Sequence, residues 1–304
     1  MQEIKMFEEL KILFDITNTE IDFSDERLFE YNAFKKQTKN KLRTIEEPNE
    51  KLKQVQRNIS YFLVKTYERP AYYFSIWGNT SNILNAKQHC NNHYTMTLDI
   101  ASFYQNTKEE YIKKFFREKL NLDGIALDTM IKLTSTDGHL PTGAPSSPIL
   151  SLLTHKEIFD EIYKKSLEEN IIFSLYLDDI TLSSNKPIPY DFIQFIKNKL
   201  HEHGLWLKTN KIKKFGYKSK NITGIYINQA GQIKVPWRIE FAFIKKIKAK
   251  NIEDMNIEEL QKCLGLVSYI QQIEKGKFKV SRLKIIKALK KKQRLDKENS
   301  IQQV

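Results

Sequence analysis

From Tyr94 to Ile100, apolar and polar positions alternate strictly: Tyr94, Met96, Leu98 and Ile100 share one face, and Thr95, Thr97 and Asp99 the other. A period of two predicts a strand, and this one ends in a carboxylate. Residues 171–184, IIFSLYLDDITLSS, read as two apolar strands joined by a tight hairpin with Asp178 and Asp179 at its tip. Thr223–Asn228, TGIYIN, predicts a further strand of the same sheet. Helical periodicity marks Lys51 to Lys65, Thr107 to Lys119 and Phe192 to His203. Another helical stretch, Ile149 to Tyr163, is opened by the turn LPTGAPSSP, Leu140–Pro148. Strands covered by helices predict an α+β chain. The aromatic patch Tyr72, Tyr73, Phe74 and Trp77 suits either core packing or stacking on nucleobases.

Composition adds limits. The 304 residues, 40% of them hydrophobic, are enough for one good core or two closely joined ones. No 20-residue apolar span predicts a membrane helix, and MQEIKMFEELKILFDI at the N-terminus lacks the pattern of a secretory signal. Cys90 and Cys263 show no metal-ligand spacing, so free thiols in a reducing cytoplasm are expected. The net charge of +13 is uneven: Lys234–Val304 holds 18 Lys and Arg against 8 Asp and Glu, whereas residues 1–233 hold 32 against 29. The basic run Lys277 to Arg294 reads by itself as a solvated helix face. Pro236, in VPWR, marks a boundary before it.

Two adjacent aspartates are costly. At about 4 Å and an effective dielectric near 20, a carboxylate pair repels by roughly 4 kcal/mol. The pair makes most sense against a divalent cation with phosphate as the remaining ligand; the alternative is an ordinary Asp-Asp turn. A strand aspartate, the GAPSSP turn and the YLDD hairpin, in that order, are a combination that unrelated loops rarely supply.

Together the three segments resemble the palm of a reverse transcriptase. YLDD matches the Tyr-x-Asp-Asp box, and LPTGAPSSP the Leu-Pro-x-Gly-x-x-x-Ser-Pro turn. More narrowly, the chain is similar to bacterial retron reverse transcriptases: NAKQH (Asn85–His89) fits an Asn-Ala-x-x-His element, and ITG (Ile222–Gly224) a Val-Thr-Gly element. KLRTIEEP (Lys41–Pro48) and LGLVSYIQQIE (Leu264–Glu274) extend the match over roughly residues 40 to 275. The resemblance implies a right-hand polymerase fold. N-terminal helices and fingers would occupy 1–95, an antiparallel palm sheet packed by helices 96–233, and a basic helical thumb 234–304.

It also implies roles. Asp99, Asp178 and Asp179 would hold two Mg2+ ions, with the Ile100 carbonyl as an added ligand. Lys211 would act near the leaving pyrophosphate, with Lys213 competing for that role. Tyr104 would lie under the sugar and reject a ribose 2′-hydroxyl. Arg43 would bind the triphosphate, with Lys41 and Lys51 as alternatives. Gly143 and Ala144 would let the chain approach template and nucleotide, and Thr142 stands where many relatives carry glutamine. Asn85, His89, Thr223 and Gly224 would touch the cognate RNA, although each also suits a structural role.

The implied activity is that of an RNA-directed DNA polymerase using dNTPs. It would copy part of a structured noncoding RNA into branched multicopy single-stranded DNA, primed from a guanosine 2′-hydroxyl, in an antiphage system with a separate effector protein. Fingers, palm and thumb would take up nearly all of the length, so no ribonuclease H is expected in this chain. Two other readings stay open: an intron-type or other bacterial defence reverse transcriptase, and a noncatalytic RNA-binding scaffold.

Overall fold

The computed structural model describes residues 25–38 and 41–301; the expected N-terminal helical segment lies outside them. The chain forms two compact units, one of residues up to Thr80 with Tyr94–Lys214, the other of Ser81–His93 with the residues from Phe215 onward. Ser81–His93 thus joins the C-terminal part in space, although its position in the sequence suggested the N-terminal part.

In the first unit, β1 (Tyr31–Thr38) and β2 (Lys41–Pro48) form an antiparallel hairpin, followed by α1 (Glu50–Thr66). Asn49 caps α1 by accepting a hydrogen bond from the Leu52 N–H at 2.9 Å, and Leu52, Val55, Ile59 and Leu63 bury one helical stripe. The second unit contributes α2 (Asn82–Gln88), after which β3 (Tyr94–Asp99) enters the palm. Next come α3 (Phe103–Asn106), α4 (Glu109–Leu120), α5 (Gly124–Thr134), α6 (Ser147–Thr154), α7 (Lys156–Glu168), β4 (Ile172–Tyr176), β5 (Asp179–Ser184), α8 (Tyr190–Glu202) and β6 (Lys213–Phe215). The sheet order is β4-β5-β3-β6, with β3 and β4 antiparallel to β5. One core packs α7 and α8 against this sheet, and a second packs α1, α4, α5 and α6.

Three sequence expectations change. The helix expected over Ile149–Tyr163 divides at His155, whose wholly buried ring lies within hydrogen-bond distance of Thr107 Oγ1 (3.1 Å) and His203 Nδ1 (3.3 Å). Tyr72 and Tyr73 are buried in the palm core rather than free for bases, the Tyr72 hydroxyl donating to Asp160 at 2.8 Å. Ile225–Ile227 is not in the palm sheet: as β8 it lies between β7 (Lys220–Ile222) and β9 (Ile233–Lys234) in the second unit. That unit also holds α9 (Trp237–Ala249), α10 (Ile257–Ile273) and α11 (Lys279–Ile301), packed around Phe243, Leu260, Val267, Ile270 and Ile285. Cys90 and Cys263 are free thiols. Among the described residues no helix is long and apolar enough to cross a membrane.

Candidate active site

Three aspartates are brought near one another where β3 ends and the β4–β5 hairpin turns. Asp99 lies opposite Asp179 in the β3–β5 register, and the Ile100 N–H donates to the Asp178 carbonyl at 2.9 Å. Leu177 enters the turn with φ of 54°, a left-handed conformation that strains a bulky residue and persists only because both flanking strands fix it. After Asp99 the chain turns through Ser102 (φ 43°) into α3, which buries Phe103 in the core and sets the half-buried Tyr104 where it feels the Asp178 charge. Burial, with a smaller contribution from Asp178, raises the Tyr104 phenol pKa.

Burial and then neighbouring carboxylates push both hairpin aspartates above the ordinary range: Asp178 upward, Asp179 to about 6. Two ammonium groups oppose this. Lys208 Nζ donates to Asp99 Oδ1 and, at 3.2 Å, to the Ile100 carbonyl; Lys211 Nζ donates to Asp99 Oδ2. Both Asp99 oxygens are engaged, and among the described residues no three His, Cys, Asp or Glu side chains are grouped so as to hold a metal ion. The donor chemistry still fits a hard divalent cation: three partly buried carboxylates, two of them with raised pKa, beside a backbone carbonyl.

Residues 34–227 match the family model described as reverse transcriptase (RNA-dependent DNA polymerase). The chain belongs to the reverse transcriptase family. Curated retron reverse transcriptases of Escherichia coli are similar to it: Ec48 at 24% identity, covering 69% of this chain and 57% of that protein, and Ec83 at 26%, covering 81% and 85%. A third, Ec86, is 24% identical and is covered over 62% of its length. The chain therefore spans only part of some of these relatives. The fold is also similar to telomerase from Candida albicans solved with a telomeric RNA fragment (TM-score 0.51, 10% identity, 86% of this chain and 56% of that one). Apo telomerase from Candida tropicalis is comparable (0.52, 10%, 89% and 62%). These structures share the right-hand polymerase fold. Reverse transcriptase domains use divalent metals, in keeping with the donor set above.

Elsewhere in this reverse transcriptase, Arg43 is exposed on β2 opposite Lys36, and Lys51 is exposed in the first turn of α1. The side chain of Lys41 lies outside the described residues. Lys213 is exposed on β6, so of the two lysines expected near the pyrophosphate it is Lys211 that reaches the aspartates. Ala144 is buried, whereas Gly143 is exposed. Gly143 has φ of 128°, and a Cβ there would stand 3.1 Å from both the Glu46 carbonyl and Ile45 Cγ2, so its close approach is to β2 of the same chain. Thr142 is clasped on three sides: its N–H donates to Glu46 Oε2 and its carbonyl accepts from the Glu46 N–H, both at 2.8 Å, while Gln105 donates to its hydroxyl. Lys208, Glu46 and Gln105 were missed by sequence reasoning, because nothing in their local pattern distinguishes them from other surface polar residues.

Two elements far apart in sequence meet in the second unit. Thr223 (φ 46°) and Gly224 (φ 85°) form the two-residue turn of the β7–β8 hairpin, where positive φ at both positions suits the strand twist. A β-branched residue is strained there, and α2 holds it. Asn82 Nδ2 donates to the Thr223 carbonyl at 3.1 Å, and Asn85 Nδ2 to its hydroxyl at 3.3 Å. Asn85 and His89 are wholly buried, and the His89 carbonyl accepts from Lys220 Nζ at 2.7 Å. Gly224 is exposed, so this pair of elements presents the turn outward while its polar side chains brace it from within.

Two buried histidines make stability pH-dependent. Burial first, and then a neighbouring cation or imidazole, lowers the His89 and His155 pKa from 6.5 to about 3. The folded state thus binds fewer protons, so this stabilisation is complete above the unfolded value of 6.5 and is lost as pH falls towards 3. Each pH unit below the unfolded value costs about 1.4 kcal/mol per histidine. Urea midpoints are expected to be level from pH 8 to 7 and to decline between about pH 6 and 4, with a shallower decline in His155→Gln. A pH-independent difference between the two proteins would contradict this.

Proposed function

We propose that this chain is a retron-type RNA-directed DNA polymerase that copies part of a structured noncoding RNA into branched single-stranded DNA. The observation that carries the reading is the placing of Asp99, Asp178 and Asp179 together at one end of the inner strand pair β3–β5, with Tyr104 and Lys211 beside them. Asp99, Asp178, Asp179 and the Ile100 carbonyl are the groups to hold Mg2+. Bound there, the metal would supply charge neutralisation for the triphosphate and acidify the primer hydroxyl. Tyr104 would orient the sugar and exclude a 2′-hydroxyl, and Lys211 would stabilise charge developing on the leaving pyrophosphate. Arg43 would contact the triphosphate through a bidentate guanidinium.

Priming from an RNA 2′-hydroxyl and service in an antiphage system with a separate effector belong to the same reading, supported by similarity to the retron enzymes. The Thr223–Gly224 turn, braced by Asn82 and Asn85, is assigned to contact with the cognate RNA. The basic residues Lys284, Lys287, Lys290 and Lys291, exposed along α11, are assigned to the nucleic-acid backbone. This thumb-like role and the finger role of the β1–β2 hairpin are part of the proposal.

The test is to express the chain with its upstream flanking sequence, extract small nucleic acids and compare wild type with Asp178→Ala. A discrete DNA that shifts on ribonuclease treatment and is lost in the variant is the expected result. An enzyme active on added primer and template that makes no such DNA would overturn the retron assignment and leave the polymerase.

A further inference from the structure

Lys208 stands on two of the oxygens that the proposed function assigns to metal. Its ammonium donates to Asp99 Oδ1 and to the Ile100 carbonyl, the latter at 3.2 Å. Its backbone is tied to the same place: the Lys208 N–H donates to the Asp99 carbonyl at 2.8 Å, and Leu207 bridges to Ile100 across the end of β3. The pair is partly desolvated, with side-chain exposures of 26% for Lys208 and 14% for Asp99. Lys211 meets only the other oxygen of Asp99.

A divalent cation taking Asp99 Oδ1 and the Ile100 carbonyl would compete with an ammonium hydrogen-bonded to the same two oxygens, because the two positive charges repel at such close range. We propose that Lys208 is an internal counter-cation that holds the Asp99–Ile100 ligand pair in place and competes with the divalent metal for it. The side chain would swing off when the metal enters, and a triphosphate arriving with that metal would supply an anion to receive the displaced ammonium. Lys208 thereby links metal binding to nucleotide binding, since the metal displaces it at lower cost once a new anion is present. In this role it is a positioning residue. The inference rests on the metal-site reading above.

The test measures Mn2+ binding to the full chain by the electron paramagnetic resonance signal of the free ion, with and without a non-hydrolysable deoxynucleoside triphosphate. Circular dichroism melts confirm that each variant is folded. Without nucleotide, Lys208→Met is expected to bind Mn2+ on the order of ten-fold tighter than wild type, and Lys208→Arg, which keeps the cation, close to wild type. The nucleotide-induced gain in Mn2+ affinity is expected to shrink in Lys208→Met. Unchanged or weaker binding by Lys208→Met, while Asp99→Asn still weakens it, would overturn the competition and leave the metal site standing. Wild-type binding by Asp99→Asn would instead remove the metal-site reading, and the competition with it.

Discussion

Asp178→Asn is expected to lower DNA synthesis by roughly 10³- to 10⁵-fold and, in the same molecule, to raise metal-free stability. The loss would follow from removing a proposed metal ligand at the turn between β4 and β5, where the adjoining main chain is held by the Ile100–Asp178 hydrogen bond of 2.9 Å. The gain follows from electrostatics. Burial and Asp99 raise the Asp178 pKa, and burial with both neighbouring aspartates raises that of Asp179 to about 6. An acid whose folded pKa lies above its unfolded value of 3.8 favours the fold below that value, and the contribution is lost as pH rises through the folded pKa. Near pH 7.5 the ionised pair is therefore a liability, worth about 1–2 kcal/mol after allowance for partial solvent screening. Chemical denaturation in a chelator should show the variant more stable at pH 7.5 and indistinguishable from wild type below pH 4. Equal stability at both pH values would show that Lys208 and Lys211 already neutralise the cluster. Retained synthesis would remove Asp178 from the metal set.

Tyr104→Ala is expected to raise incorporation of ribonucleotides relative to deoxyribonucleotides by about 10²-fold, with deoxynucleotide turnover falling less than ten-fold. The Tyr104 ring is half-buried, stacks at 6.1 Å on Phe103, and lies close enough to Asp178 to feel its charge. Ser102, with φ of 43°, precedes the two rings, and Phe103 is buried in the core. Single-nucleotide incorporation on an RNA template, comparing kcat/KM for matched ribo- and deoxynucleotides, measures the effect. A loss of both substrates in parallel would make Tyr104 a packing residue only. A Tyr104→Phe variant should keep the discrimination, because in the proposed role the ring and not the hydroxyl would supply the steric block.

Much of the palm was legible. Alternation over Tyr94–Ile100 and the apolar run around Asp178 are local signals, and both became antiparallel strands with Asp99 opposite Asp179. The helices expected over Lys51–Lys65, Thr107–Lys119 and Phe192–His203 formed with small shifts at their ends. The division of the helix at His155 was not legible, because its cause is long-range: the contacts with Thr107 and His203 are made by residues 48 positions away on either side.

The sequence by itself determined the order of the carboxylate-bearing segments and the uneven distribution of positive charge, because periodicity, turn chemistry and composition are properties of contiguous residues; the family came from the resemblance of its short motifs to those of reverse transcriptases. Tertiary structure decided which polar residues meet. In LKTNKIKK only Lys208 and Lys211 reach Asp99, since the Ile100–Leu207 bridge sets where that segment lies. Gly143 is required by the backbone of β2, and Asn85 braces a turn 138 residues away. Such pairings depend on the register and packing of distant strands and helices, and a lysine or asparagine carries no local mark of the partner that folding will bring to it.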